Sequence, residues 1–274
     1  MKKKLICGIT GHTGSIGRSL IRNKKNLKFI YFKKDIKKKR DVKKWINNNN
    51  FDFIIHLAAI VPIKLVNKNK KKAFNVNVKG TSNLVESIMK KKNKIKWFFF
   101  ASTSHVYGSS KKKIKENSSI KPITYYGKTK YLAEKKVKNL KKKNIKFCIG
   151  RIFSTTNSTQ RQNYLVPDLK KKIKNSKNDI TLKNLNHYRD FISVDDIVKI
   201  ILYFSKKKTE GVINIASGKS TRLSKIAKII GKKYKKTITF KDNINPTFLI
   251  ANNNFLKKKY KFRIRENIED MIFE

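Results

Sequence analysis

Short apolar runs alternate with amphipathic segments along the first half of the chain. Several of these runs are apolar at almost every position, which is typical of parallel strands buried on both faces. The segments between them place apolar residues at helical spacing, most clearly at 73–89 and 125–140. This alternation predicts an α/β fold built on a doubly wound parallel sheet. The predicted strands cover residues 5–9, 27–32, 51–59, 97–101 and 145–149.

A glycine-rich turn joins the first apolar run to the first helical segment. Gly11, Gly14 and Gly17 follow one another at a spacing of three residues. We expect Gly11 to permit a tight turn, Gly14 to let the backbone approach a pyrophosphate, and Gly17 to let the helix pack closely on the sheet. The N–H groups at the helix start, around Ser15 and Ile16, then favour an anionic phosphate. The turn therefore predicts a dinucleotide site, and a turn that binds nothing is the alternative.

The domain prediction follows a change of pattern after residue 152. Residues 1–152, with a return segment near 190–205, are predicted to form the dinucleotide-binding domain. The strand and helix alternation weakens beyond it, so 153–189 and 206–274 are predicted to form a smaller substrate-binding lobe. Ligands of open α/β sheets bind beyond the carboxyl ends of the strands. We therefore expect the site to lie between the sheet and the lobe.

The chain is strongly basic, with a formal net charge of +52 over 274 residues, yet 39% of its residues are hydrophobic. This hydrophobic content predicts a globular protein with one large core, or a domain with a smaller lobe. Lysines occur in short runs over the whole sequence, not in one patch with interleaved aromatic residues. We interpret the charge as a composition bias, with a selected nucleic-acid surface as the alternative.

Two cysteines, Cys7 and Cys148, lie inside predicted strands. Two such thiols form neither a disulfide framework nor a metal cluster, so we expect buried, reduced side chains and no metal site. The sequence shows no signal-peptide pattern and no run of about 18 apolar residues. These features predict a cytoplasmic protein that does not enter a membrane.

A tyrosine and a lysine share one face of the predicted helix at 125–140. Tyr126 and Lys130 are four residues apart, and an ammonium group beside a phenol lowers the tyrosine pKa towards the working pH. The hydroxyl of Thr103, at the end of a strand, can hold a substrate oxygen beside that phenol. A Tyr-x-x-x-Lys pair also occurs on ordinary exposed helices. Its order after the glycine turn and the strand-end hydroxyls predicts an acid/base site.

Motifs along nearly the whole chain resemble one family. The sequence is similar to the extended short-chain dehydrogenase/reductase proteins, in the NAD(P)-dependent nucleotide-sugar epimerase/dehydratase/reductase group. The resemblance implies a Rossmann-type sheet with a smaller C-terminal substrate-binding lobe. The matching segments are TGHTGSIG at 10–17, HLAA at 56–59, NVKGTSNLVES at 77–87, ASTSHVYG at 101–108, YYGKTK at 125–130, RDFISVDD at 189–196 and GVINIASG at 211–218.

The resemblance implies roles for individual residues. Thr103, Tyr126 and Lys130 match the catalytic group, and Lys130 would also hold the nicotinamide ribose. Arg189 matches an arginine that grips the substrate's diphosphate, a role that suits a planar guanidinium. The other cofactor-binding positions that it implies are Gly11, Gly14, Ser15, Ile16, Gly17, Leu57, Ala58, Ala59, Asn77 and, at the adenine, Asp41 and Val42.

Three positions depart from the family pattern. The dehydratases of the family carry two acids after the catalytic threonine, whereas this chain has Ser104 and His105, which argues against a 4,6-dehydratase. His105 is either a polar lid residue or a second acid/base for epimerisation. Ser154 stands where the family often has asparagine. We expect these three residues to line the substrate site with Thr103 and Arg189.

The end of the second predicted strand bears on the choice of cofactor. NAD enzymes place an acid there, where it accepts hydrogen bonds from the ribose hydroxyls. In this chain Lys33 and Lys34 follow the strand, and Asp35 comes later. Two ammonium groups suit a 2′-phosphate. We therefore expect NADP(H), with NAD(H) as the alternative.

The leading hypothesis is an NAD(P)-dependent reductase or epimerase acting at C4 of a nucleotide-activated sugar, with Tyr126 as acid/base. The segment at 150–167 is similar to reductases of 4-keto-6-deoxy sugars. One alternative is a non-catalytic family member that binds RNA through its basic surface. Another is a reductase of non-sugar carbonyls. The resemblance also implies a homodimer through the helices near 81–91 and 125–140.

Overall fold

The computed structural model describes residues 4–23, 26–92, 95–158 and 160–273. Its strands are β1 (Leu5–Thr10), β2 (Leu27–Tyr31), β3 (Phe53–His56), β4 (Trp97–Thr103), β5 (Lys146–Ile152), β6 (Ser154–Thr156), β7 (Ile180–Lys183), β8 (Tyr188–Ser193), β9 (Gly211–Ile215), β10 (Ser220–Arg222), β11 (Ile238–Lys241) and β12 (Phe248–Leu249). Its α-helices are α1 (Ser15–Arg22), α2 (Lys39–Asn47), α3 (Ile63–Lys68), α4 (Lys70–Phe74), α5 (Gly80–Lys90), α6 (Tyr125–Lys138), α7 (Leu165–Lys174), α8 (Val194–Lys207), α9 (Leu223–Lys233) and α10 (Ile268–Phe273).

A six-stranded parallel sheet organises the first part of the chain, in the order β2-β1-β3-β4-β5-β9. Helices α1 and α8 cover one face, while α2, α5 and α6 cover the other. The side chains of β4 alternate between these two layers because successive residues of a strand point to opposite faces. Trp97 and Phe99 join the first layer, and Phe98 and Phe100 join the second. The doubly wound Rossmann-type fold is thereby confirmed.

Side-chain caps fix where two of the covering helices begin. The Thr124 hydroxyl accepts a hydrogen bond from the Gly127 N–H at 3.0 Å, which starts α6 directly before Tyr126. The Ser193 hydroxyl accepts from the Asp196 N–H at 3.0 Å and starts α8. A cap of this kind contributes about 1 kcal/mol. It also sets which residues of α6 reach the end of the sheet.

Most of the chain after β5 forms the smaller lobe. Strand β8 pairs with β6, β10 and β12, and β7 pairs with β11. Helices α7, α9 and α10 share a separate core with Leu182 of β7 and Phe191 of β8. Among the described residues, no helix is long and apolar enough to cross a bilayer.

The structure corrects the boundaries that we expected from the sequence. Segment 206–274 does not belong wholly to the lobe, because β9 is the sixth strand of the central sheet. Leu256 also packs into the core of that sheet. Conversely, β8 lies in the lobe sheet, so the return segment starts with α8 and ends with β9. The order of distant strands is a long-range property that local pattern does not reveal.

Two local expectations also change. The helix expected at 73–89 is divided into α4, a π-helical turn at Asn75–Lys79, and α5. The strand expected at 51–59 ends at His56, and the apolar residues beyond it form a loop. Cys7 and Cys148 are buried and unpaired, as predicted.

Candidate active site

The turn between β1 and α1 lies at the carboxyl edge of the central sheet. Gly11 has a φ of +74°, and a Cβ atom there would lie 2.5 Å from the Ala58 nitrogen. A Cβ atom on Gly17 would lie 2.5 Å from the Gly11 carbonyl oxygen. Gly17 therefore lets α1 pack against the turn itself, not against the sheet as we expected. Both positions require glycine for a physical reason.

The N-terminus of α1 fits a phosphate group. Gly14 is the residue before the helix, it is exposed, and no described side chain caps the helix there. Ser15 and Ile16 form the first turn and are half-buried. Uncapped N–H groups at the positive end of a helix bind anions. The glycine cradle and these donors together fit the pyrophosphate of a dinucleotide.

The loop after β3 forms one wall beside this turn. Residues 57–59 are half-buried, and Asn77 holds the end of the loop with its side chain. The Asn77 Oδ1 atom accepts from the Ile60 N–H at 2.8 Å, and its Nδ2 atom donates to the Ile60 carbonyl at 3.0 Å and to the Thr129 hydroxyl at 3.1 Å. The hydrogen bonds of Asn77 therefore fix this loop against α6.

The three residues expected to carry the chemistry come together at the same edge. Thr103 ends β4, and Tyr126 and Lys130 lie on the first turns of α6, with 5%, 6% and 2% of their surfaces exposed. Helix α6 approaches the end of β4 closely because Gly127 has no side chain. A Cβ atom on Gly127 would lie 2.0 Å from the His105 carbonyl oxygen.

Burial dominates the electrostatics of Tyr126. It raises the pKa of the phenol well above its ordinary value, and the neighbouring Tyr164 raises it further. Hydrogen bonding with Thr103 opposes this rise. We expected Lys130 to lower the tyrosine pKa, and the structure corrects the direction of the shift. A phenol removed from water holds its proton unless a neighbouring group stabilises the charged form.

Lys130 is also buried, and burial lowers its pKa to about 7, while the Glu134 carboxylate acts in the opposite direction. Its Nζ atom lies 4.1 Å from the centre of the Phe100 ring. A cation over an aromatic face is weakly stabilised. Lys130 can therefore hold or release a proton near neutral pH.

His105 and Arg189 lie close enough to interact electrostatically. The His105 ring lies edge-on to Tyr126, with 5.8 Å between ring centres. Burial lowers the pKa of His105 to about 4, and the nearby charge of Arg189 contributes to this shift. His105 is thus neutral at neutral pH. Burial lowers the pKa of Arg189 to about 10, and its guanidinium donates three hydrogen bonds to the backbone of Tyr188 and to Thr247.

Ser104 and Ser154, the other two residues expected to contact the substrate, lie on different elements. Ser104 is buried in the 3₁₀ turn after β4, between Thr103 and His105. Ser154 is half-buried at the start of β6, where it pairs with Phe191 of β8 in the lobe sheet.

The two residues expected at the adenine, Asp41 and Val42, lie in α2, and Lys33, expected at the 2′-phosphate, precedes the helix. Lys33 is exposed just beyond β2, in a loop at the carboxyl edge. Val42 faces the hydrophobic core with 1% of its surface exposed, so its side chain is not available to a ligand. Asp41 lies in the first turn of α2. The role of this pair at the adenine stays a prediction, in which Val42 contributes its backbone and not its side chain, and Asp35 lies in the loop before α2.

Three residues near the site carry functional signals that the sequence reasoning missed. Tyr164 precedes α7 and lies close enough to Tyr126 to raise its pKa. Arg161 donates to the Thr13 carbonyl of the glycine turn at 3.3 Å, which ties the lobe to the cofactor turn. Glu134 lies one helical turn after Lys130. Of these, only Glu134 had a usable signal, which is its helical spacing from Tyr126 and Lys130.

Comparisons with known proteins decide the family. The model of the NAD dependent epimerase/dehydratase family matches residues 7–216. The chain belongs to this family. It is 31% identical over 221 residues to GDP-6-deoxy-D-talose 4-dehydrogenase of Aggregatibacter actinomycetemcomitans, covering 77% of this chain and 74% of that protein. It is 28% identical over 214 residues to a putative UDP-glucose 4-epimerase of Methanocaldococcus jannaschii, covering 76% and 69%.

The fold likeness extends over the whole chain. The UDP-glucose 4-epimerase of Thermus thermophilus, solved in complex with NAD, superposes with a TM-score of 0.87 at 16% identity, covering 98% of this chain and 97% of that one. At this identity the likeness shows the fold alone. Together with the family match it makes this protein a Rossmann-type member of the NAD dependent epimerase/dehydratase family. Within the described residues, no group of three or more potential ligands could hold a metal ion.

Proposed function

We propose that this protein is an NAD(P)-dependent oxidoreductase or epimerase that acts at C4 of a nucleotide-activated sugar. The observation that carries the proposal is that Thr103, Tyr126 and Lys130 lie together at the carboxyl edge of the sheet, the edge that also carries the glycine turn. The names of both curated relatives described above place their reactions at carbon 4, one as a dehydrogenase and the other as an epimerase.

Each residue has a distinct task in this proposal. The bound nicotinamide supplies hydride transfer. Tyr126 gives or takes the proton of the C4 oxygen, and Thr103 orients that oxygen. Lys130 holds the ribose and stabilises the tyrosinate. The buried phenol of Tyr126 is protonated in the free protein, so the residue is in its acid form when substrate binds.

In this proposal the lobe contributes residues that bind the substrate. We assign Arg189 of β8, whose charge acts on His105, to the diphosphate of the substrate, because a planar guanidinium suits that group. His105 is neutral at neutral pH, which favours the role of a hydrogen-bonding lid residue over that of a strong base. Ser104 and Ser154 would contact the sugar. A 4-keto-6-deoxy sugar is the substrate favoured by the 150–167 segment.

We propose NADP(H) as the preferred cofactor, with NAD(H) as the alternative. The exposed side chains of Lys33 and Lys34 at the end of β2 support it, because ammonium groups there suit a 2′-phosphate. Two buried thiols support a reducing compartment such as the cytoplasm. A homodimer through α5 and α6, which pack against each other, completes the proposal.

A thermal-shift screen tests the substrate class. UDP-, GDP-, dTDP- and CDP-hexoses are added singly to the protein with NADPH or NADH. A ligand at 100 times its Kd stabilises the folded state by about 2.7 kcal/mol. We expect one nucleotide class to raise Tm above the value with dinucleotide alone. Stabilisation by dinucleotide with none by any nucleotide sugar would contradict the proposal.

A further inference from the structure

A buried ion pair lies one helical turn beyond Lys130. The Arg151 Nε and Nη2 atoms donate to the two carboxylate oxygens of Glu134 at 3.0 and 2.8 Å. Ser102 donates to the same carboxylate at 2.5 Å. Glu134 and Arg151 have 0% and 3% of their surfaces exposed. This is a bidentate pair with a third donor, sealed from water.

The register of the sheet fixes this pair in place. Ser102, Arg151 and Asn214 are directly paired across β4, β5 and β9. The Arg151 Nη1 atom donates to the Tyr107 hydroxyl at 2.7 Å, and that hydroxyl donates to Asn214 Oδ1 at 2.8 Å. The carboxylate is therefore anchored to three strands, one of which ends in Thr103.

Stability alone does not account for such a pair. Burying two charges costs as much as their attraction returns, and apolar replacements of buried ion pairs are often equally stable. The position of Glu134 on α6 indicates a second role for the ion pair, in the active site. Tyr126, Lys130 and Glu134 recur every four residues, so they share one buried face of the helix.

His56, outside α6, also interacts electrostatically with Lys130. Burial lowers the pKa of His56, at the end of β3, to about 3, and His105 in the turn after β4 is neutral as well. Arg151 on β5 is cationic, and Tyr126 holds its proton. Glu134 supplies the negative charge that opposes the effect of burial on Lys130.

We propose that Glu134 is a positioning residue of the active site, which acts through Lys130. Anchored by Arg151 and Ser102, its carboxylate fixes the α6 face that presents Tyr126 and favours the ammonium form of Lys130 against the effect of burial. The inference rests on the proposed function in one respect, the contact of Lys130 with the nicotinamide ribose.

The test measures dinucleotide affinity against pH, so it needs no sugar substrate. NADH and NADPH are titrated by fluorescence between pH 5 and 9 with the full chain and its Glu134→Gln variant. Glutamine keeps the shape and loses the charge. We expect the pH at which affinity falls by half to drop by about one unit. At pH 8 the variant then binds roughly tenfold more weakly than the wild type.

Glu210→Gln is the matched control, because Glu210 is an exposed partner of Lys146 at the start of β5, at the edge of the sheet opposite Thr103. We expect it to leave the midpoint unchanged. A midpoint equal to that of the wild type in Glu134→Gln, with only a lower Tm, would assign the pair a merely structural role and overturn the inference.

A double variant keeps the test decisive if Glu134→Gln does not fold. Glu134→Met with Arg151→Met replaces the pair by two apolar side chains. Because the Arg151 charge is lost together with that of Glu134, a smaller downward shift supports the inference, and the wild-type midpoint overturns it. A shift without turnover of any nucleotide sugar would refute the proposed function alone, while turnover without a shift would refute this inference alone.

Discussion

Lys130 shows how the site affects stability at the scale of one residue. Its pKa is about 7 in the folded protein, against an ordinary value of 10.5. Between these two values the unfolded chain binds a proton that the folded chain does not, so the free energy of unfolding rises with pH there. Below about pH 7 the folded protein carries the full cost of the buried charge.

Replacing Lys130 by methionine should stabilise the protein while it abolishes turnover. We expect a gain of about 2–4 kcal/mol at pH 6, which corresponds to a rise in Tm of roughly 5 °C or more. The gain should shrink as pH rises from 7 towards 10. Differential scanning calorimetry of both proteins at pH 6, 8 and 10 measures it. Lys128→Met, at an exposed position of the same helix, is the control. A lower Tm at pH 6 would contradict this assignment of a buried cation.

Cofactor preference is also decided by single residues. Changing Lys33 and Lys34 to glutamate together should weaken NADPH binding about tenfold or more, because like charges repel the 2′-phosphate. NADH, which lacks that phosphate, should bind with nearly unchanged affinity. Isothermal titration calorimetry with both dinucleotides makes the comparison. Equal losses for the two cofactors would show that these lysines do not select the phosphate.

At the scale of elements, the approach of α6 to the end of β4 sets the geometry of the site. Gly127 lies at the point of contact, against the His105 carbonyl. We expect Gly127→Ala to lower kcat/KM about a hundredfold, since a displacement of about 1 Å is enough for such a loss. Gly108→Ala is the matched control, because its Cβ atom would lie 3.3 Å from the nearest side chain. Steady-state kinetics compare them, and equal activities would contradict the argument.

The features that could be predicted from the sequence are those set by interactions between residues close to one another along the chain. The turn at Gly11 and the pair of Tyr126 and Lys130 were predictable because both are local, a strand-turn-helix and a spacing of four. The inward orientation of the Val42 side chain could not be predicted, because one helical residue decides whether a side chain faces the cleft or the core. The direction of the pKa shift of Tyr126 could not be predicted, since it depends on burial in the folded protein and on Tyr164, which is distant in sequence.

At the scale of the whole molecule, Asp190 links the lobe to the central sheet. Its buried carboxylate accepts hydrogen bonds from the Ser217 and Gly218 N–H groups after β9, from the Ser217 hydroxyl, and from the Ala251 N–H after β12. This one carboxylate thus accepts hydrogen bonds from backbone groups of two segments, the one that follows β9 of the central sheet and the one that follows β12 of the lobe. The contact lies between segments far apart in sequence, which is why local pattern did not reveal it.

Asp190→Ala should therefore destabilise the protein. It leaves three backbone N–H groups without their acceptor, which costs about 3 kcal/mol or more. Urea unfolding measures the loss as a lower midpoint. Asp179→Ala removes a carboxylate that accepts from one exposed N–H group, that of Thr237, and should change stability little. Equal effects of the two substitutions would contradict the linking role of Asp190.

The most direct test of the central claim is the turnover of nucleotide sugars by the wild type and Tyr126→Phe. A panel of UDP-, GDP-, dTDP- and CDP-hexoses, including 4-keto-6-deoxy forms, is incubated with NAD(P)(H), and products are identified by NMR. We expect the wild type to convert at least one sugar at C4. Tyr126→Phe should lower the rate by a factor of about 10²–10⁴ with unchanged dinucleotide affinity. Equal rates for both proteins, or dinucleotide binding with no conversion of any sugar, would contradict the account.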